Sequence, residues 1–172
     1  MAKTITVDFT GTASYAKLQE SSRDMGSNLM AGSDQRIKLE QCEGMYVMNV
    51  FIDAATKKKM IADGVPNKGM TGQLFKEDDD GNLFYKCTRK HINPKFEGAS
   101  RLMGPPKVIK DDGEGANVGW DWEEDGLIGN DSEVKVRLSV WDGKIVTMEI
   151  VKVLELIPYE GSTGGPVSSE GM

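Results

Sequence analysis

Residues 133–141 read EVKVRLSVW, 142–143 are Asp-Gly, and a second run rich in β-branched and aliphatic residues follows at 144–157. Strict alternation of apolar and polar side chains is the mark of a strand with one covered and one wet face, and Asp-Gly supplies the positive φ that a tight hairpin turn requires. Val134, Val136, Leu138 and Val140 therefore belong to a core face, while Lys135, Arg137 and Trp141 share the opposite one. Trp141 at the strand end can either offer an exposed ring beside two cations or fold over the mouth of a barrel as a plug.

Working outward from this hairpin, the chain reads as strands. Residues 3–9 and 12–18 form two short segments with a Thr-Gly turn between them, and 21–34 is a Ser-, Gly-, Asn- and Asp-rich loop. The nearly continuous apolar run 45–52 predicts a strand covered on both faces. Residues 53–63 (DAATKKKMIAD) begin with a capping Asp and end before Gly64 and Pro66, which predicts one short α-helix. A hairpin follows, 70–76 with 83–92 around the acidic turn 77–82. Long Gly- and Pro-containing connections occupy 93–119, with a short apolar piece at 107–110. The expected fold is mainly β: an OB-like antiparallel β-barrel over residues 1–158, with a β-sandwich as the alternative, followed by a flexible tail at 159–172 that is mostly Gly, Ser and Pro.

The chain has 172 residues, enough for one domain, and a net charge of −6. One histidine, His91, and two cysteines, Cys42 and Cys87, leave too few ligands for the common structural zinc sites, so no metal or other cofactor is expected. No nucleophile signature accompanies His91, and no phosphate-binding glycine motif precedes a helix; the chain reads as non-enzymatic. Residues 121–132 imitate a calcium loop, but Ser132 stands where a bidentate Glu is required. There is no apolar run of membrane-spanning length and no signal peptide, so an intracellular protein with no membrane partner is expected.

Charge is distributed unevenly. Residues 82–110 contain seven basic side chains against Glu97 alone, whereas 111–133 contain nine acidic ones and no Lys or Arg. Along 83–91 each face of the strand carries an aromatic and a cation: Phe84, Lys86 and Lys90 on one, Tyr85 and Arg89 on the other. Rings interleaved with cations suit single-stranded nucleic acid, whose bases stack while its phosphates meet Lys and Arg. Lys86, Arg89 and Lys90 are the candidate phosphate contacts, with Phe84 and Tyr85 as alternatives for stacking. Lys107, Lys135, Arg137 and Trp141 complete the candidate set.

Several segments together carry a family resemblance: GTASYAKL at 11–18, the strand and helix of 46–63, FYKCTRKHI at 84–92, GPPKVI at 104–109, LIGNDSEVKVRLSV at 127–140 and VKVLELIPY at 151–159. The chain resembles the single-stranded DNA-binding proteins of tailed phages, particularly those of podovirus and cyanophage type. That resemblance implies an OB fold, sequence-independent binding of single-stranded DNA in phage replication and recombination, and a site of action in the host cell cytoplasm. It also implies the phage DNA polymerase and primase-helicase as partners, for a monomer or homodimer. The chain departs from the group at its end, where VSSEGM has one acid and no aromatic in place of an acidic tail with a terminal ring. A phage structural or decoration protein is the competing reading.

Overall fold

A computed structural model describes residues 3–26, 29–69 and 72–157. The expected tail at 159–172 lies outside the described residues, as do Met70 and Thr71 of the expected 70–76 strand. Ten strands and two α-helices are present among the described residues: β1 (Thr4–Lys17), α1 (Asp34–Gln41), β2 (Met45–Phe51), α2 (Ala54–Ala62), β3 (Lys68–Gly69), β4 (Gly72–Gln73), β5 (Phe75–Glu77), β6 (Leu83–Lys90), β7 (Lys107–Asp111), β8 (Asn117–Gly119), β9 (Glu133–Trp141) and β10 (Ile145–Glu155). β3 and β4 form a separate small hairpin; the other eight make one sheet in the order β5-β6-β2-β1-β9-β10-β7-β8. No helix among the described residues is long and apolar enough to cross a membrane.

β1 organises the sheet. The two segments expected on either side of a Thr-Gly turn are one continuous strand whose first part, Thr4 to Thr12, pairs with β9 and whose last part, Thr12 to Lys17, pairs with β2. Gly11 lies at this change of partner. A Cβ there would fall inside the van der Waals envelope of the Phe51 carbonyl oxygen and would also meet a Val50 methyl. The glycine is thus required by close backbone approach, and not by a turn.

The C-terminal hairpin follows its alternation. Val134, Val136, Leu138 and Val140 are fully buried, and the turn has positive φ at both Asp142 (54°) and Gly143 (64°), closed by Lys144 N–H donating to the Trp141 carbonyl at 2.9 Å. These side chains join Met48, Val50, Cys87, Met148 and Val151 in the main core, with Tyr85 packed edge-on between Phe9 and Phe75. α2 is capped as expected, Asp53 Oδ1 accepting from Thr56 N–H at 2.7 Å, and sends Met60 into the same core.

Two features differ from expectation. The first is a second helix: α1, capped by Ser33, is polar throughout except for Ile37 and Leu39, so its sequence carries no amphipathic stripe. Leu39 alone of its residues is buried, and it forms a satellite cluster with Met45 and Val47 on the face of β2 turned away from the main core. The second concerns the barrel. The order β6-β2-β1-β9-β10 is OB-like, but the sheet is not closed by a ladder, and it is not wholly antiparallel, because β7 runs parallel to β10. β10 lies against β6 without strand pairing between them.

Gly11→Ala should lower unfolding stability by about 2 to 3 kcal/mol, the cost of forcing extra volume into a packed site with a rigid backbone neighbour. Urea denaturation followed by tryptophan fluorescence measures this; an unchanged midpoint would mean that β1 can shift away from β2.

Candidate nucleic-acid interface

The unpaired seam between β6 and β10 is bridged by the Arg89 side chain. Arg89 points to the core side of β6 and donates from Nε to the Gly104 carbonyl (2.9 Å) and from its terminal nitrogens to the carbonyls of Met103 (3.0 Å) and Met148 (3.3 Å) and to Glu149 Oε1 (3.0 Å). Glu149 is fixed in turn by Ser139, whose hydroxyl donates to Oε2 at 2.7 Å. The Arg89 side chain is 13% exposed. Its guanidinium thus links β6 to the bulge of β10, with which β6 forms no ladder, and to the segment before β7, whose Met103 and Gly104 N–H groups also donate to the His91 carbonyl at 2.8 and 3.2 Å.

Above this clamp the seam opens into a groove of about 260 Å³. Thr88, Arg89 and Lys90 come from β6, Ile145, Val146 and Thr147 from β10, Lys68 and Gly69 from β3, and Lys144 from the hairpin turn; Met45, Asn93 and Met103 complete the walls. Among the described residues four cations and no carboxylate line it, with Arg89 paired to Glu149 and exposed Lys144 3.7 Å from Asp142. Its apolar walls and cationic rim combine the two surfaces that a single strand of nucleic acid contacts. Trp141, 46% exposed, is the cross-strand partner of Ile145 at one end. Phe96, 54% exposed, donates its N–H to the carbonyl of groove residue Asn93 at the other wall.

The sequence-derived candidates separate into distinct environments. Lys90 lines the groove and Trp141 borders it in the exposed position, not as a plug. Tyr85 is fully buried, its hydroxyl directed to the Pro66 carbonyl and its pKa pushed far up by burial, so it is a core residue and has no face for a base. Arg89 lines the groove, yet its donors are committed to protein acceptors; its role is the clamp and not a phosphate contact. The outward face of β6 is therefore the one bearing Phe84, Lys86 and Lys90.

Phe84 and Lys86 lie on that face but outside the groove. Phe84 packs edge-to-face on Phe51 (centroids 5.5 Å apart), and Lys86 is paired in register with Asn49. Burial, then the neighbouring positive charge of Lys76, holds the Lys86 ammonium below the usual lysine pKa. Lys135 and Arg137 project from the outer face of β9, where Arg137 is neutralised by a two-pronged pair to Asp8 (2.8 and 3.0 Å). That hydrogen-bonded pair holds the Asp8 carboxyl below the usual carboxylate range. Lys107 is exposed at the start of β7.

Lys68, Asn93, Met103, Lys144 and Ile145 were not recognisable from sequence. They come from four separated stretches, so no window of charge or pattern collects them; Lys68 lies in β3 and Lys144 beside the turn glycine Gly143, and only the fold brings them together. His91, the lone histidine, is buried with its Nδ1 2.7 Å from the Tyr46 hydroxyl, and burial pushes its pKa down. Among the described residues no cluster of three His, Cys, Asp or Glu side chains could hold a metal ion.

No protein-family model matches the sequence, and none of the curated proteins does. Solved structures share the fold. The chain is similar to gp2.5, a single-stranded DNA-binding protein encoded by bacteriophage T7, with 17% identity, a TM-score of 0.53 and 95% of this chain covering 97% of that one. It is also similar to the single-stranded DNA-binding protein from bacteriophage Enc34 in complex with single-stranded DNA, with 12% identity, a TM-score of 0.51 and 91% of this chain covering 89% of that one. The mainly β fold expected from the sequence is thus found, and these structures suggest an OB-like arrangement, but the eight-stranded sheet is not closed into the expected antiparallel barrel.

Arg89→Met, which keeps an unbranched apolar stem but removes every donor, should cost about 2 to 4 kcal/mol, because Glu149 and three carbonyls lose a charged partner in a mostly buried site. A thermal melt of this variant beside Lys90→Met checks it. Equal, small changes in both would deny Arg89 its clamping role.

Proposed function

We propose that this protein binds single-stranded DNA without sequence preference in the β6–β10 groove, by phosphate contacts from Lys68, Lys90 and Lys144 and base stacking on Trp141, and that it acts without catalysis in phage DNA replication and recombination inside the host cell. The observation that carries the reading is a groove lined, among the described residues, by several cations and no carboxylate in a protein of net charge −6. Electrostatics in such a groove concentrate a polyanion locally despite the overall negative charge. The shared fold with phage single-stranded DNA-binding proteins supports the same reading. Binding without sequence preference fits the groove cations, since its lysines are flexible point charges suited to phosphates and Arg89 is committed to protein acceptors, which leaves Thr88, Asn93 and Thr147 as its polar uncharged side chains. Lys135 on β9 and Lys107 on β7 are exposed cations outside the groove and would meet flanking nucleotides. The phage polymerase and primase-helicase belong to the same proposal as partners.

Titration with oligothymidine at several salt concentrations tests this. Affinity should fall steeply with salt, and replacing Lys68, Lys90 and Lys144 together by Ala should reduce the magnitude of the logarithmic slope by about 2, since each lost phosphate contact on a single strand is worth about 0.7. An unchanged slope, or binding indifferent to salt, would overturn the assignment of the groove.

Trp141→Ala should weaken oligothymidine binding by about 1 to 3 kcal/mol, the usual worth of one base–aromatic stack. Its melting temperature should stay close to that of the parent, because the ring is already half in solvent. A large drop in melting temperature with affinity retained in the folded fraction would assign Trp141 to the fold and not to DNA.

A further inference from the structure

A second concavity lies across the segment that follows the clamp. Met103 lines the groove, the carbonyls of Met103 and Gly104 accept from Arg89, and Pro105 and Pro106 then line a pocket of about 280 Å³ with Leu18, Val108, Trp120 and Trp122. The two indoles meet edge-to-face, centroids 6.3 Å apart. Trp120 is held in place by its Nε1–H donating to the Gly126 carbonyl at 3.0 Å. Lys110, over the Trp120 ring, is already neutralised by Asp125 at 2.7 Å. Neither ring is fully buried, so the pocket is an apolar, aromatic recess of fixed shape with room for an anchoring side chain.

Its surroundings are acidic. Glu20 lines the rim, and Asp121, Glu123 and Glu124 are exposed on the turn that carries Trp122. The whole of 111–133 contains no Lys or Arg. A phosphodiester strand approaching the indoles would meet like charge, which works against association, whereas a cationic polypeptide would be attracted. Rings flanking an apolar slot are also the surface on which extended, proline-containing peptides dock.

We propose that this pocket is a protein-docking site for a basic, proline-containing segment of a partner, seating an apolar anchor among Trp120, Trp122, Pro105 and Pro106 while its Lys or Arg side chains meet Glu20, Asp121, Glu123 and Glu124. The proposal does not depend on the groove binding DNA. The two surfaces have opposite charge and share only the 103–106 segment as a wall, so each can fail separately.

The experiment uses the full chain labelled with ¹⁵N, following the side-chain N–H signals of Trp120 and Trp122. The probes are the synthetic peptide KKPLPFKK, its acidic counterpart EEPLPFEE, and oligothymidine. KKPLPFKK should shift both indole signals, EEPLPFEE and oligothymidine should not, and the double substitution Glu123→Lys with Glu124→Lys should weaken the basic peptide by about tenfold or more. Both glutamates are exposed, so this variant keeps the fold where Trp122→Ala could lose it. No shift with millimolar KKPLPFKK, or an equal response to both peptides, overturns the proposal. Shifts caused by oligothymidine would reassign the pocket to nucleic acid, and shifts on dilution without peptide would reassign it to a second copy of this chain; either result overturns it too.

Discussion

The guanidinium of Arg89 stands where the hydrogen-bond ladder of a closed barrel would be. β6 and β10 lie against each other without pairing, and the four acceptors of Arg89, on the 103–104 segment and on β10, hold that seam. A planar fork of donors can bridge several carbonyls at once, which a lysine cannot. The consequence is a seam fixed at its base and open above, and the open part is the groove. Strand pairing along the full length of β6 and β10 would hold the walls together and leave no space for a ligand.

The middle of the sheet depends on a comparably local constraint. β1 can serve both β9 and β2 only if it passes close to the backbone of Phe51, and Gly11 is the residue without a side chain at that point. The change of partner at this point joins the β2–β6 pair to the β9–β10 hairpin and so places their outer strands beside each other. Gly11 and Arg89 act on opposite sides of the same curled sheet: one permits the approach of backbones, the other bridges strands that do not pair.

Charge is sorted on either side of the 103–106 segment. The groove side gathers Lys68, Lys90 and Lys144, and the pocket side gathers Glu20, Asp121, Glu123 and Glu124 around two tryptophans. A net charge of −6 describes neither surface. Arg137 and Lys110, which add to a count of basic residues, are both paired with carboxylates, so a count along the chain overstates the cation available to a polyanion.

The sequence by itself determined the elements whose cause is local. Alternation at 133–141 predicted which side chains of β9 are buried, since side chains of a strand alternate with period two, but it left open whether Trp141 is exposed or folds over the strand end, which the tertiary structure decided. Asp142-Gly143 predicted the turn and Asp53 the start of α2, because φ and capping depend on a few adjacent residues. What depended on contacts between distant residues was not legible. Gly11 in isolation reads equally as turn or close approach, and α1 has too few apolar residues to show a helical period before it meets Met45 and Val47. The two faces of β6 each carry a ring and a cation, so only the packing of Tyr85 between Phe9 and Phe75 decided which one is outside. Arg89 reads as a free cation until the carbonyls of Met103, Gly104 and Met148 surround it, and the groove exists only where five stretches of chain converge. Local sequence sets dihedral preference and face, whereas partners far along the chain, visible only in the folded state, decide whether a charge is available to a ligand or already satisfied.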